Sequence, residues 1–219
     1  MELKAVLFDM DGVIVDSEPE YYRIEMEITK KYGIPFTKKE QKTYTGINPT
    51  IMWKELKEKY DFPQPYEELL SLEEKMVSEY YASDSVSIIA PSIELLKKVY
   101  SKGVLCAIAS SSEKNNIMNI VKHTNIEKYV GSVVSNNDVK RCKPAPDIFL
   151  LAAKELGVEP ENCVVIEDAK SGVLAANAAG MKVIGFKNIN SGNQDLSKAD
   201  LIVDDMKDIT IDVLKNLMV

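Results

Sequence analysis

Lys4-Ala5-Val6-Leu7-Phe8-Asp9-Met10-Asp11-Gly12 begins as an apolar run of strand length and stops at two carboxylates and a glycine. An apolar run with no alternating polar positions suits a strand buried on both faces of a parallel sheet. Downstream of Pro91 the same texture returns in alternation with helical patterns. A helix is predicted at 93–100, closed by Gly103, then a strand at 104–109, a helix at 114–123 and a weaker strand at 131–135. A helix at 146–156, with proline at its start and Gly157 past its end, leads to a strand at 163–166. A helix at 171–179, closed by Gly180, leads to a strand at 182–186, and 201–203 forms an edge strand before a C-terminal helix. Proline at the start and glycine past the end is the expected asymmetry of helices. Strand and helix alternating at this pace predict right-handed βαβ units, an α/β fold with a parallel sheet covered on both faces.

Residues 16–85 read differently. Amphipathic helical patterns at 21–32, 50–60 and 66–81 are separated by turns at Gly33-Ile34-Pro35 and Asp61-Phe62-Pro63, with no convincing strand. The expectation is an all-helical module (16–85) inserted after the first strand of an α/β core made of 1–15 and 86–219. Trp53 and most of the module's tyrosines read as packing residues, while for Tyr21 and Tyr22, which closely follow the acidic end of the first strand, substrate contact stays open.

Composition narrows the classes of function. In 219 residues, 45% apolar and 28% charged is a globular balance. With 27 basic against 34 acidic residues the net charge is −7, which argues against nucleic acid or an anionic membrane as partner. No apolar run approaches the ~20 residues that span a bilayer, and the N-terminus starts a strand rather than a signal peptide. Three cysteines, Cys106, Cys142 and Cys163, show no pairing pattern, so a reduced, cytoplasmic setting is expected. Cys106 and Cys163 fall in strand patterns. A single histidine, His123, at a helix end, excludes His-cluster metal sites and leaves little room for a Ser-His-Asp relay.

In a doubly wound sheet, ligands bind beyond the carboxyl ends of the strands. Those ends carry Asp9 and Asp11, Ser110-Ser111-Ser112, and Glu167-Asp168, while Lys143 opens Lys143-Pro144-Ala145-Pro146 just ahead of a helix. Carboxylates gathered at one sheet edge repel one another and are driven towards protonation unless a cation intervenes. Oxygen ligands with no histidine or cysteine among them favour Mg²⁺. The Ser110 hydroxyl, nearby backbone amides and the Lys143 ammonium suit a tetrahedral anion, although the serine run can also cap the following helix. Metal, anion cradle and a further carboxylate together describe phosphoryl transfer.

Phe8-Asp9-Met10-Asp11-Gly12-Val13-Ile14-Val15-Asp16-Ser17 resembles the first motif of the haloacid dehalogenase-like superfamily. Ile108-Ala109-Ser110 resembles its second, Lys143 with Pro144-Ala145-Pro146 its third, and Ile166-Glu167-Asp168 with Gly172 its fourth. The likeness spans the chain in order, and the inserted module resembles the small cap of the branch holding β-phosphoglucomutase and many sugar-phosphate phosphatases. It implies a Rossmann-like core, Mg²⁺, an aspartyl-phosphate on Asp9, Asp11 as acid and base, and Lys143 against phosphoryl charge. Asp168 and Glu167 would hold the metal with Asp9 and the backbone carbonyl of Asp11. Ser110, Ser111, Ser112 and Lys143 would bind phosphate, and Gly12 would turn tightly where a side chain obstructs substrate.

Asp11 argues against the haloacid-dehalogenating and phosphonate-cleaving branches. The expected activity is a phosphatase on a small phosphorylated metabolite, such as a sugar phosphate. The alternative is a β-phosphoglucomutase-type mutase. In the mutase pattern a histidine follows the first motif and an arginine follows a turn in the cap. Tyr21 and, within Thr45-Gly46-Ile47-Asn48-Pro49, Asn48 or Pro49 stand at those places, whereas Ser112 and Lys114 keep some likeness. A non-catalytic binding module is a remote third reading, since it would lose Asp9 or Asp11. A monomer is the default expectation.

Overall fold

A computed structural model describes residues 2–45 and 47–219; Met1 and Gly46, the latter within the turn compared above, lie outside the described residues. In chain order the elements are β1 (Ala5–Phe8), α1 (Glu18–Lys31), α2 (Lys38–Gln41), α3 (Pro49–Tyr60), α4 (Tyr66–Tyr81), α5 (Ala90–Ser101) and β2 (Leu105–Ser110). There follow α6 (Lys114–His123), β3 (Ser132–Ser135), α7 (Asp147–Leu156), β4 (Cys163–Glu167), α8 (Lys170–Ala178), β5 (Lys182–Phe186), β6 (Leu201–Val203) and α9 (Ile211–Asn216). The chain divides into two compact units, Met1–Asp16 with Ser87–Val219, and Ser17–Val86. Asp16 therefore groups with the first unit and Val86 with the second, each one residue from the boundary read in the sequence.

The first unit is an α/β fold. Six parallel strands run in the order β3-β2-β1-β4-β5-β6. All four residues of β1 are fully buried, because β1 is central and covered on both sides. Ala5 and Leu7 join Ala107, Ala109, Val165 and Val183 in one core with Phe149 of α7 and Val173 of α8. The alternate residues Val6, Phe8, Cys106, Ile108, Val164 and Ile166 are equally buried and project to the opposite face. Cys106 and Cys163 are buried free thiols, and burial pushes both up to about 12. Cys142 is exposed, as is His123 at the end of α6.

The second unit is helical, with no strand among its described residues. Helix α4 packs on α1 and α3. Ile24, Ile28, Met52, Trp53, Leu56 and Leu69 form its interior, with Trp53 fully buried. Short α2 has no apolar periodicity to announce it; it forms because Thr37 caps it, accepting a bond from the Glu40 amide. Two carboxylates, Glu25 and Glu73, also lie inside.

Candidate active site

Register assembles the site. Phe8 pairs with Ile108 on one side and Ile166 on the other, so Asp9, Ala109 and Glu167 sit one step beyond the same rung. The Asp9 amide continues the ladder by donating to the Ile166 carbonyl at 3.0 Å. The strand order changes direction between β1 and β4, the switch point at which doubly wound sheets open a crevice. The chain then folds sharply, with the amides of Ile14 and Val15 both donating to the Met10 carbonyl. Gly12 takes φ +78° in this turn, a conformation that disfavours side chains. A Cβ there would lie 1.8 Å from Asp168 Oδ2, so the space beside Gly12 belongs to the Asp168 carboxylate. What a side chain at position 12 would meet in the structure is the Asp168 carboxylate.

Lys143 comes from a basic run whose other members, Lys140, Arg141 and Cys142, are exposed. Its own side chain is only 4% exposed. The ammonium donates to Asp9 Oδ1 at 2.5 Å, to Glu167 Oε1 at 2.8 Å and to the Ala109 carbonyl at 3.1 Å. It also lies 4.8 Å from the centre of the Phe149 ring. Burial alone would lower the Lys143 ammonium, but Asp9 and Glu167 outweigh it and hold the group above the ordinary lysine range. Burial pushes the Asp9 carboxyl up to about 8; Lys143 pulls it down, and the charges of Glu167 and Asp11 add to the rise. Lys143 therefore keeps its proton, and Asp9 is the member of the pair whose ionisation calls for further positive charge.

The serine run does not cap α6, because the residue at the cap position is Glu113 and no side-chain cap bond is made. Ser112 Oγ instead donates to Asp11 Oδ2 at 2.6 Å. Fully buried Ser110 lies 3.4 Å from the same oxygen and accepts from the Ser112 amide at 3.0 Å. Ser111 is exposed. Lys114 is turned away, donating to the Val133 carbonyl and, at 3.0 Å, to Asp138 Oδ2.

Glu167 and Asp168 part company. Glu167 gives Oε1 to Lys143, and its Oε2 accepts from the Ala169 amide at 2.8 Å. A Cβ on Gly172 would stand 1.6 Å from Glu167 Oε1, so that glycine makes room for the side chain. Asp168 Oδ2 accepts from Ser191 Oγ. Ser191 and Asn188, in the loop after β5, are buried polar residues that the sequence reading did not single out.

Among the described residues no three carboxylate, thiolate or imidazole side chains converge into a ready-made metal cage. The donor set nevertheless fits Mg²⁺. It offers two buried carboxylates, Asp9 three residues before Gly12 and Asp168 packed against Gly12, and Asp9 demands positive charge. Mg²⁺ keeps several waters and takes only one or two protein carboxylates beside a substrate phosphate.

The central strand of a doubly wound sheet thus ends in a carboxylate paired with a buried lysine. Residues 6–186 match the haloacid dehalogenase-like hydrolase family, and the chain belongs to it. It is an enzyme. It is 33% identical over 187 residues to a phosphorylated carbohydrates phosphatase of Thermotoga maritima, covering 83% of this chain and 84% of that protein. It is 31% identical to the fructose-1-phosphate phosphatase of Escherichia coli, covering 83% of this chain and 95% of the relative. A solved β-phosphoglucomutase from Clostridium difficile superposes with a TM-score of 0.76 at 29% identity, covering 99% of this chain and 97% of that one.

Proposed function

We propose that this enzyme is an Mg²⁺-dependent phosphatase that hydrolyses a small phosphorylated metabolite, of the sugar-phosphate class, through an aspartyl-phosphate on Asp9. Its main support is the convergence of Lys143 on Asp9 Oδ1 at the central strand end, with Asp11 held two residues away by Ser112. The Thermotoga and Escherichia relatives, which act on phosphorylated carbohydrates, support the substrate class.

An Asp9 oxygen attacks phosphorus while the bond to the ester oxygen breaks, and that oxygen leaves with the Asp11 proton. Asp11, now ionised, takes a proton from water, whose oxygen attacks phosphorus and releases the Asp9 carboxylate and inorganic phosphate. The Ser112 hydroxyl orients Asp11 for both transfers. The exposed Ser111 would bind the phosphate, while fully buried Ser110 supports Ser112 by accepting from its amide. Lys143 offsets charge on the phosphoryl oxygens, and Glu167 holds Lys143 in place rather than serving the metal. Asp9, Asp168 and the Asp11 carbonyl would hold Mg²⁺, which supplies Lewis-acid stabilisation of phosphoryl charge and keeps Asp9 ionised.

The mutase reading weakens because Lys114, the cation that kept it open, is committed to Val133 and Asp138. A mutase needs cations for the distal phosphate of a bisphosphate. Hydrolysis of p-nitrophenyl phosphate with and without Mg²⁺ tests the phosphatase, followed by a panel of sugar phosphates. No turnover of any by well-folded protein overturns the proposal. Incubation with β-glucose 1-phosphate and a trace of the 1,6-bisphosphate separates the two reactions. Glucose 6-phosphate forming faster than free phosphate would establish the mutase.

A further inference from the structure

The loop after β5 interlocks with both acidic turns of the site. Asn188 is 8% exposed; its Nδ2 donates to the Gly12 carbonyl at 3.0 Å and approaches Asp16 Oδ1 at 3.4 Å. Its Oδ1 accepts from the Asn190 amide at 2.9 Å, closing the loop on itself. Asn190 Nδ2 donates to Asp16 Oδ2 at 2.7 Å. Ser191, 3% exposed, donates its hydroxyl to Asp168 Oδ2, the oxygen that lies where a Cβ on Gly12 would be. The carboxylate of Asp168 is thus wedged between a glycine with no side chain and a buried hydroxyl, and the turn carrying that glycine is held by Asn188.

A hydroxyl that donates to one carboxylate oxygen fixes the rotation of the carboxylate. Such supporting donors commonly alter metal affinity by about 10- to 100-fold. Ser191 is 3% exposed, its amide donates to the Asn188 carbonyl at 3.2 Å, and its hydroxyl reaches Asp168, 23 residues away in the chain.

We infer that Ser191 is a positioning residue that orients Asp168 for Mg²⁺, with Asn188 fixing the Gly12 turn against which Asp168 packs. This rests on the proposed metal-assisted hydrolysis and names the residues of this chain that prepare its cation side.

The test is isothermal titration of the full-length protein with Mg²⁺ alone, alongside Mg²⁺-dependence of p-nitrophenyl phosphate hydrolysis. Ser191→Ala is expected to bind Mg²⁺ about 10- to 100-fold more weakly, with the activity deficit recovered by raising Mg²⁺. Ser191→Thr, which keeps the donor, is expected to restore affinity. If Ser191→Ala does not fold, Ser191→Cys, similar in volume but a weak donor, makes the same comparison. Parent and variant binding Mg²⁺ equally, with only the melting temperature lowered, overturns the inference and leaves the phosphatase proposal standing. A parent protein that neither binds Mg²⁺ nor requires it overturns the metal-assisted reading itself.

Discussion

The ammonium of Lys143 lies 2.5 Å from Oδ1 of Asp9, and the two side chains are only 4% and 7% exposed. A pair so deeply buried is held together by mutual need. Removing one partner leaves the other charge uncompensated, at a cost of about 3–5 kcal/mol in comparable cases. Because Glu167 also bonds Lys143, the lysine is centred between two carboxylates and cannot swing away from the strand end.

Lys143→Met is expected to lower kcat/KM by at least ~100-fold, since a preorganised charge aimed at developing phosphoryl charge is typically worth that much. Lys143→Arg should not rescue it, because the forked guanidinium does not fit a pocket built for a point charge between Asp9, Glu167 and the Ala109 carbonyl. Steady-state hydrolysis and a circular-dichroism melt on each variant check both statements.

Asp9→Asn should abolish turnover while the protein stays folded. The amide cannot act as the nucleophile, and Glu167 still partners Lys143. Phosphate release above background in this variant would remove Asp9 from the reaction.

Gly12→Ala should impair the cation side specifically. The new methyl would meet Asp168 Oδ2 at 1.8 Å, and φ +78° adds backbone strain. Apparent Mg²⁺ affinity is expected to fall at least ~10-fold, in line with disturbed metal ligation. Unchanged affinity in a Mg²⁺ titration would mean that Asp168 does not hold the cation.

The helical unit carries its own pH dependence. Burial pushes Glu25 up to about 8, with the nearby Glu73 adding to the rise and a bond from Gln41 opposing it; Glu18 adds further repulsion. Burial pushes Glu73 up to about 7, opposed by the Trp53 indole N–H and raised by Glu74. Among the described residues each has one buried oxygen without a hydrogen-bond partner, Glu25 Oε2 and Glu73 Oε1. Below about pH 4.5 both groups are protonated whether the unit is folded or not. As pH rises, the unfolded chain releases these protons while the folded unit retains them, so stability falls until about pH 8 and then levels. Trp53 is the only tryptophan and bonds Glu73 directly, so urea unfolding followed by its fluorescence at pH 5, 7 and 9 measures the effect. Glu25→Gln with Glu73→Gln should flatten the profile and stabilise the unit at pH 8; an unchanged pH slope would refute the assignment.

Much of the site was legible because parallel strands end where their apolar runs end. Asp9, Ser110, Glu167 and Asp168 each follow such a run within a residue or so, and a doubly wound sheet brings those ends to one edge whatever lies between them. Lys143 could be found only through its place before Pro144 in a motif, since its basic neighbours are solvent-exposed. The serine run was legible as a donor cluster but not in its aim: Glu113 takes the cap position, leaving Ser112 to bond Asp11.

The order of apolar and polar residues along this chain by itself determined an α/β core, a helical insertion and the acidic strand ends, because those follow from local periodicity and burial. Partnership was decided only by the tertiary structure. That Glu167 holds Lys143 across 24 residues, that Asn188 grips the Gly12 carbonyl across 176, and that Asp168 fills the space of a missing side chain depend on strand register and loop packing. Those contacts join residues distant in the chain, where no local pattern records which side chain will meet which.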